Sequence, residues 1–161
     1  MLILDFNLKL KMADLVISSL VEDNKYSTTI KTADHEFMAD EPESLGGYNK
    51  GPTPADLAMA GLGSCTAITL KMYYDRKNIK WDQIDVHTSF EVKKAEDVEL
   101  SDEEMNLVDK GRVRVVYKTI YIKSDMDEDA FNRADYISSR CPVYLMMKNS
   151  VKSITKVIRV K

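Results

Sequence analysis

One stretch constrains this chain more than any other: between Asp56 and Lys71 there is no charged residue. Leu57, Met59, Leu62, Ile68 and Leu70 fall within it, with small residues between them. A helix that is apolar on all sides belongs in a core rather than on a surface. The run is also shorter than the roughly 20 apolar residues a bilayer requires. Pro52 and Pro54 break what precedes it, and Asp56 puts a negative charge into the first turn. Lys71, Arg76 and Lys77 lie towards the far end, where positive charge suits the helix dipole. Gly61 and Gly63 each weaken a helix by roughly 1 kcal/mol relative to alanine, so their presence predicts another backbone packed close by. One of only two cysteines, Cys65, sits in the middle of this helix.

The rest of the chain alternates in shorter segments. Leu15–Val21 reads as a strand followed by the turn residues of 22–25. Tyr26–Lys31 is β-branched and His35–Met38 forms another short run, so the three predict an antiparallel meander. Asp40–Pro52 is turn chemistry throughout, with Gly46, Gly47 and Gly51 beside two prolines, and predicts an ordered loop into the helix. Ile84, Val86, Thr88, Phe90 and Val92 share one parity and so one face of a strand. Glu96–Glu104 reads as a solvated hairpin loop, and Val113–Ile122 is the clearest strand. A helix starts within Asp125–Asp129 and is interrupted at Cys141-Pro142, because the residue before proline is pushed out of α geometry. Pro142 opens a second helix, and 154–160 closes the chain as a strand. Residues 1–12 could be an extra strand or an extension ahead of Met12. The order is three strands, a buried helix, two strands, two helices and a strand: a single α+β domain over 1–161.

With 161 residues the chain can bury a sizeable core, and a net charge of −3 with 30% charged residues describes an ordinary soluble surface. No basic patch argues for nucleic acid, and no Lys-aromatic stripe argues for a membrane. Met1-Leu-Ile-Leu-Asp5 lacks the basic region of a signal peptide, so the expected compartment is the cytoplasm. Two cysteines exclude a disulfide scaffold. In a reducing compartment they are either inert core residues or a working pair.

Burial in an apolar helix raises the pKa of Cys65 and leaves it inert unless something stabilises its thiolate. Cys141 lies directly before Pro142 at a helix start, with Arg140 beside it, a setting that favours an anion. Whether the two meet depends on their Cα atoms coming within about 7 Å, which their spacing does not reveal. His35 and His87 show no ligand spacing with the cysteines, so no metal is expected. Phosphate-loop spacing is absent as well.

Asp40-Glu-Pro, Gly46-Gly47, Gly51-Pro-Thr-Pro-Ala-Asp-Leu, Gly63-Ser-Cys65-Thr-Ala, Asp75-Arg-Lys77 and Cys141-Pro-Val143, in this order, closely resemble the OsmC/Ohr family from about Asp14 to the C-terminus. The resemblance implies an intertwined homodimer in which two central helices cross and both subunits build each site. Gly61 and Gly63 would then be close-approach positions. It also implies thiol peroxidase chemistry without a cofactor. Cys65 would attack the O–O bond of an organic hydroperoxide, Cys141 would condense with the sulfenic acid to a disulfide, and an external dithiol would reduce it. Family members activate the nucleophile with an arginine from the N-terminal strands and a glutamate ten residues before the cysteine. Here that glutamate position is Ala55, followed by Asp56, and no arginine precedes Arg76. Asp56, Arg76 and Arg140 are therefore the candidate activators. Two alternatives stand beside the peroxidase: a dithiol redox protein with little peroxidase activity, and a non-catalytic dimer binding a small hydrophobic ligand.

Overall fold

The structure is a computed structural model that describes residues 15–21, 24–148 and 155. Residues 1–12 and, Thr155 excepted, the strand expected at 154–160 lie outside the described residues. The chain divides into two compact units, one ending at Leu57 and the other beginning at Ala58.

In the first unit β1 (Ile17–Leu20), β2 (Thr28–Lys31) and β3 (Glu36–Ala39) form the expected antiparallel meander, with Ile17 opposite Lys31 and Thr28 opposite Ala39. Asp40, directly after β3, organises the loop that follows. Its buried carboxylate accepts from Ser27 Oγ at 2.7 Å, Glu41 N at 2.8 Å, and Tyr48 N and Lys50 N at 3.1 Å. Burial alone would raise its pKa, but these four donors outweigh it and hold the carboxyl below its usual range. Gly47 is required by close approach: a Cβ there would stand 1.8 Å from the Glu41 carbonyl oxygen. The turn-rich segment is thus ordered, as expected, because one carboxylate satisfies several of its amides.

The helix begins as predicted. α1 spans Pro54–Lys77, and Thr53 and Asp56 close a reciprocal cap: Thr53 N donates to the Asp56 carboxylate at 3.0 Å and Asp56 N donates to Thr53 Oγ1 at 3.1 Å. In the second unit α1 packs on a hairpin of β4 (Gln83–Lys94) and β5 (Arg112–Lys123), whose ladder runs from Gln83–Lys123 to Lys94–Arg112. Thr88 Oγ1 donates to the Met59 carbonyl at 3.0 Å and ties helix to hairpin. Leu70 and Tyr74 of α1 and Ala134 of α2 (Glu128–Ser138) form the buried core, flanked by Trp81, Ile84, Ile120 and Ile122. Asp127 caps α2 through Ala130 N at 2.7 Å, and α3 (Pro142–Lys148) follows the break at Cys141.

Two expectations about burial change. Within the single chain α1 buries one stripe, Leu62, Gly63, Thr66, Leu70 and Tyr74, at helical spacing, while Ile68 and Met72 are 57% and 67% exposed. One hairpin and one helix cover only one side of it. Gly63 does face a backbone, with its Cβ position 3.5 Å from the Val86 carbonyl oxygen, whereas Gly61 meets open space among the described residues. On β4 the inward face holds for Ile84, Val86 and Thr88 but not for Phe90 and Val92, which are exposed.

Candidate active site

The second unit brings the two cysteines together. Cys65, mid-helix in α1, is half-buried and free, and Cys141 is free and fully enclosed at 0% exposure. Their side chains come close enough that each shifts the ionisation of the other. Cys141 reaches this place because α2 ends at Ser138. Cys141 N then donates back to the Ser138 carbonyl at 3.4 Å, while its own carbonyl accepts from Leu145 N at 3.0 Å and starts α3.

The pair is electrically asymmetric. Burial pushes the Cys65 thiol up, the neighbouring Cys141 pushes it further, and a hydrogen bond from Val143 N–H opposes them without prevailing. Burial acts on Cys141 in the same direction, yet there it is outweighed. The Cys65 thiol, the backbone N–H groups of Tyr144 and Val143, and the Thr66 hydroxyl all stabilise its anion, so Cys141 sits below the usual thiol range. Thr66 Oγ1 is fully buried and meets no partner of ordinary hydrogen-bond geometry; the Cys141 sulfur is what it faces. Of the two thiols, Cys141 is therefore the more readily ionised and Cys65 the less.

The candidate activators are placed differently from one another. Asp56 is engaged by Thr53, whose hydroxyl and amide lower its pKa. Arg76 and Arg140 line one concavity of about 430 Å³ with Thr69, Met72, Ile137 and Pro142. Thr69 Oγ1 donates to the Cys65 carbonyl at 2.8 Å, and Pro142 adjoins Cys141, so this hollow opens beside the thiols. Arg140 is held by Tyr136, with its Nη2 2.7 Å from the phenol oxygen.

The cation coupled to Cys141 is one that sequence reasoning missed. Lys118 of β5 is partly buried and feels the charge of Cys141. A signal was available: Lys118 shares parity with Ile120 and Ile122, both half-buried, so a lysine stands on the inward face of the strand. Among the described residues no three His, Cys, Asp or Glu side chains gather as a metal site. His87 instead stacks against Tyr121 with ring centroids 4.8 Å apart. Among the same residues no helix is long and apolar enough to cross a membrane.

Known structures share this fold. An OsmC-like protein from Mycoplasma pneumoniae superposes with a TM-score of 0.61 at 18% identity, covering 84% of this chain and 86% of that one. An organic hydroperoxide resistance protein OsmC from Legionella pneumophila gives 0.58 at 15% identity, covering 83% and 88%. The organic hydroperoxide resistance protein OhrB of Bacillus subtilis gives 0.55 at 16% identity, covering 84% and 90%. At such identities the likeness is one of fold. No curated protein matches the chain in sequence. The family model described as OsmC-like protein matches residues 47–156, more than half of the chain and both cysteines. The chain therefore belongs to the OsmC-like protein family.

Proposed function

We propose that this protein is a cysteine-based peroxidase that reduces organic hydroperoxides, acting as a single OsmC-like domain and a homodimer in the cytoplasm. The observation that carries this reading is the adjoining pair of free thiols, Cys65 half-buried and Cys141 enclosed. Such a pair suits attack by the outer sulfur and resolution by the inner one. Cys65 passes its proton to Cys141, and the Cys65 thiolate attacks the peroxide and breaks the O–O bond. This gives a sulfenic acid on Cys65 and an alkoxide, which takes the proton back from Cys141. The Cys141 thiolate then attacks the Cys65 sulfur and expels hydroxide, leaving the disulfide. An external dithiol restores both thiols, becoming a disulfide itself. The apolar side chains Met72 and Ile137 beside the pair suit an organic tail. The open side of α1, with Ile68 and Met72, suits a second copy.

A second reading is favoured by the raised Cys65 pKa: a dithiol protein exchanging with other thiols, for which peroxide is a poor substrate. One experiment separates the two. Reduced full-length protein is mixed with one equivalent of cumene hydroperoxide, and intact mass and free thiols are followed. Rapid loss of about 2 Da per chain, the two hydrogens given up on disulfide formation, that Cys65→Ser abolishes is expected. An unchanged mass would reject the peroxidase and leave the dithiol reading.

A further inference from the structure

Lys118 is fixed on both flanks of Cys141. Its ammonium donates to Ser138 Oγ at 3.0 Å and to the Ser138 carbonyl at 3.3 Å, and lies 4.7 Å from the centroid of the Tyr144 ring. Ser138 precedes Cys141 by three residues and Tyr144 follows it by three. Ser138 and Tyr144 also serve Cys141 directly: the Ser138 carbonyl accepts its amide and the Tyr144 amide donates to its sulfur. Among the described residues Lys118 forms no salt bridge with a carboxylate; the four such bridges are made by Lys31, Lys71, Lys93 and Lys94. Cys141 and, more weakly, Asp135 of α2 both reach it through their fields, while burial outweighs them and holds the ammonium below its usual range. A partly desolvated ammonium held by neutral partners is unfavourable unless an anion lies close. The buried group able to become that anion is the Cys141 sulfur.

We infer that Lys118 is the resident counter-ion of Cys141, a positioning residue that favours ionisation of the inner sulfur. The groups acting on Cys141 are the Cys65 thiol and Thr66 hydroxyl from α1, the amides of Val143 and Tyr144 from α3, and, through its charge, Lys118 from β5. Lys118 supplies the only formal positive charge among them. This differs from the role that the sequence left to Arg76 or Arg140, which was to activate Cys65. Its importance for turnover rests on the peroxidase reading; the ion pair itself does not.

The test is a thiolate titration by absorbance at 240 nm on the full-length chain, comparing Cys65→Ser with Cys65→Ser/Lys118→Met and Cys65→Ser/Lys118→Arg. Removing a cation near a thiolate is expected to reduce the thiolate fraction below the midpoint about tenfold, and arginine should restore it. Identical midpoints in all three would overturn the inference. If the methionine variant does not fold, the reciprocal measurement decides. By NMR of isotope-labelled lysine, Lys118 should lose its proton at lower pH in Cys141→Ser than in the wild type, and an unchanged titration would equally overturn the inference. Peroxide consumption is measured separately on the wild type. An inert wild type with a Lys118-dependent titration sinks the peroxidase alone.

Discussion

Cys65 and Cys141, far apart in sequence, adjoin closely enough that each shifts the ionisation of the other: Cys65 is pushed up and Cys141 is held down. Their ionisations belong to the pair rather than to either residue. In the reduced wild type the first proton should leave below the ordinary thiol range and the second above it. Replacing Cys141 by serine removes a neighbouring negative charge, so Cys65 should then titrate at lower pH than the second wild-type step. Ultraviolet absorbance against pH reads both.

The same asymmetry fixes a stability trend. The folded pKa of Cys141 is depressed, so its contribution is present above its unfolded value and lost as pH falls through the folded one. Cys141→Ala should therefore be more destabilising, relative to wild type, at pH 9 than at pH 5. Urea unfolding at the two pH values checks this, and an equal difference at both would contradict it.

Resolution by Cys141 implies a trapped state. Cys141→Ser should react with one equivalent of cumene hydroperoxide and stop, gaining about 16 Da for the single oxygen of a sulfenic acid. Dimedone should label it at Cys65. A Cys141→Ser protein that turns over as the wild type does would remove Cys141 from the reaction.

Asp40 should make the first unit acid-labile. Its folded pKa is depressed by the four donors that overcome its burial, so its stabilisation is present above the unfolded carboxylate range and disappears as pH falls through the folded value. Asp40→Asn should lower the melting temperature at pH 7, and the gap should close towards pH 2. Hydrogen exchange at the Tyr48 and Lys50 amides, both bonded to this carboxylate, should rise with it.

Tyr74 is fully buried and its phenol oxygen has no hydrogen-bond partner among the described residues. Leaving such a group unpaired is destabilising by about 1–3 kcal/mol. Tyr74→Phe keeps the ring in the core beside Leu70 and should raise stability by about 1 kcal/mol. Loss of stability in a urea titration would show that the hydroxyl finds a partner.

Much of the fold could be read directly along the chain. β-branched runs marked the strands, and Thr53 and Asp127 stand where caps end up. The Cys141-Pro142 step breaks the helical region where the sequence placed it. These are local effects, set by residues within a few positions of each other, and so they survive translation from sequence to structure.

Burial was less legible. An uncharged helix reads the same whether one side or all sides are covered, and the exposure of Ile68 and Met72 depends on which elements the chain supplies to pack against it. Phe90 and Val92 kept their parity and lost their cover for the same reason.

The sequence alone determined the family resemblance, the element order from β1 to α3 and the identity of the two thiols, because short-range backbone preferences and residue types carry them. Tertiary structure decided which groups meet: that Cys65 adjoins Cys141, that Thr53 occupies Asp56, and that Lys118 is held by Ser138 beside the buried sulfur. Ionisation and counter-ion choice depend on separations of a few ångströms and on exclusion of water. Those separations exist only after distant segments have packed, and no spacing along the chain encodes them.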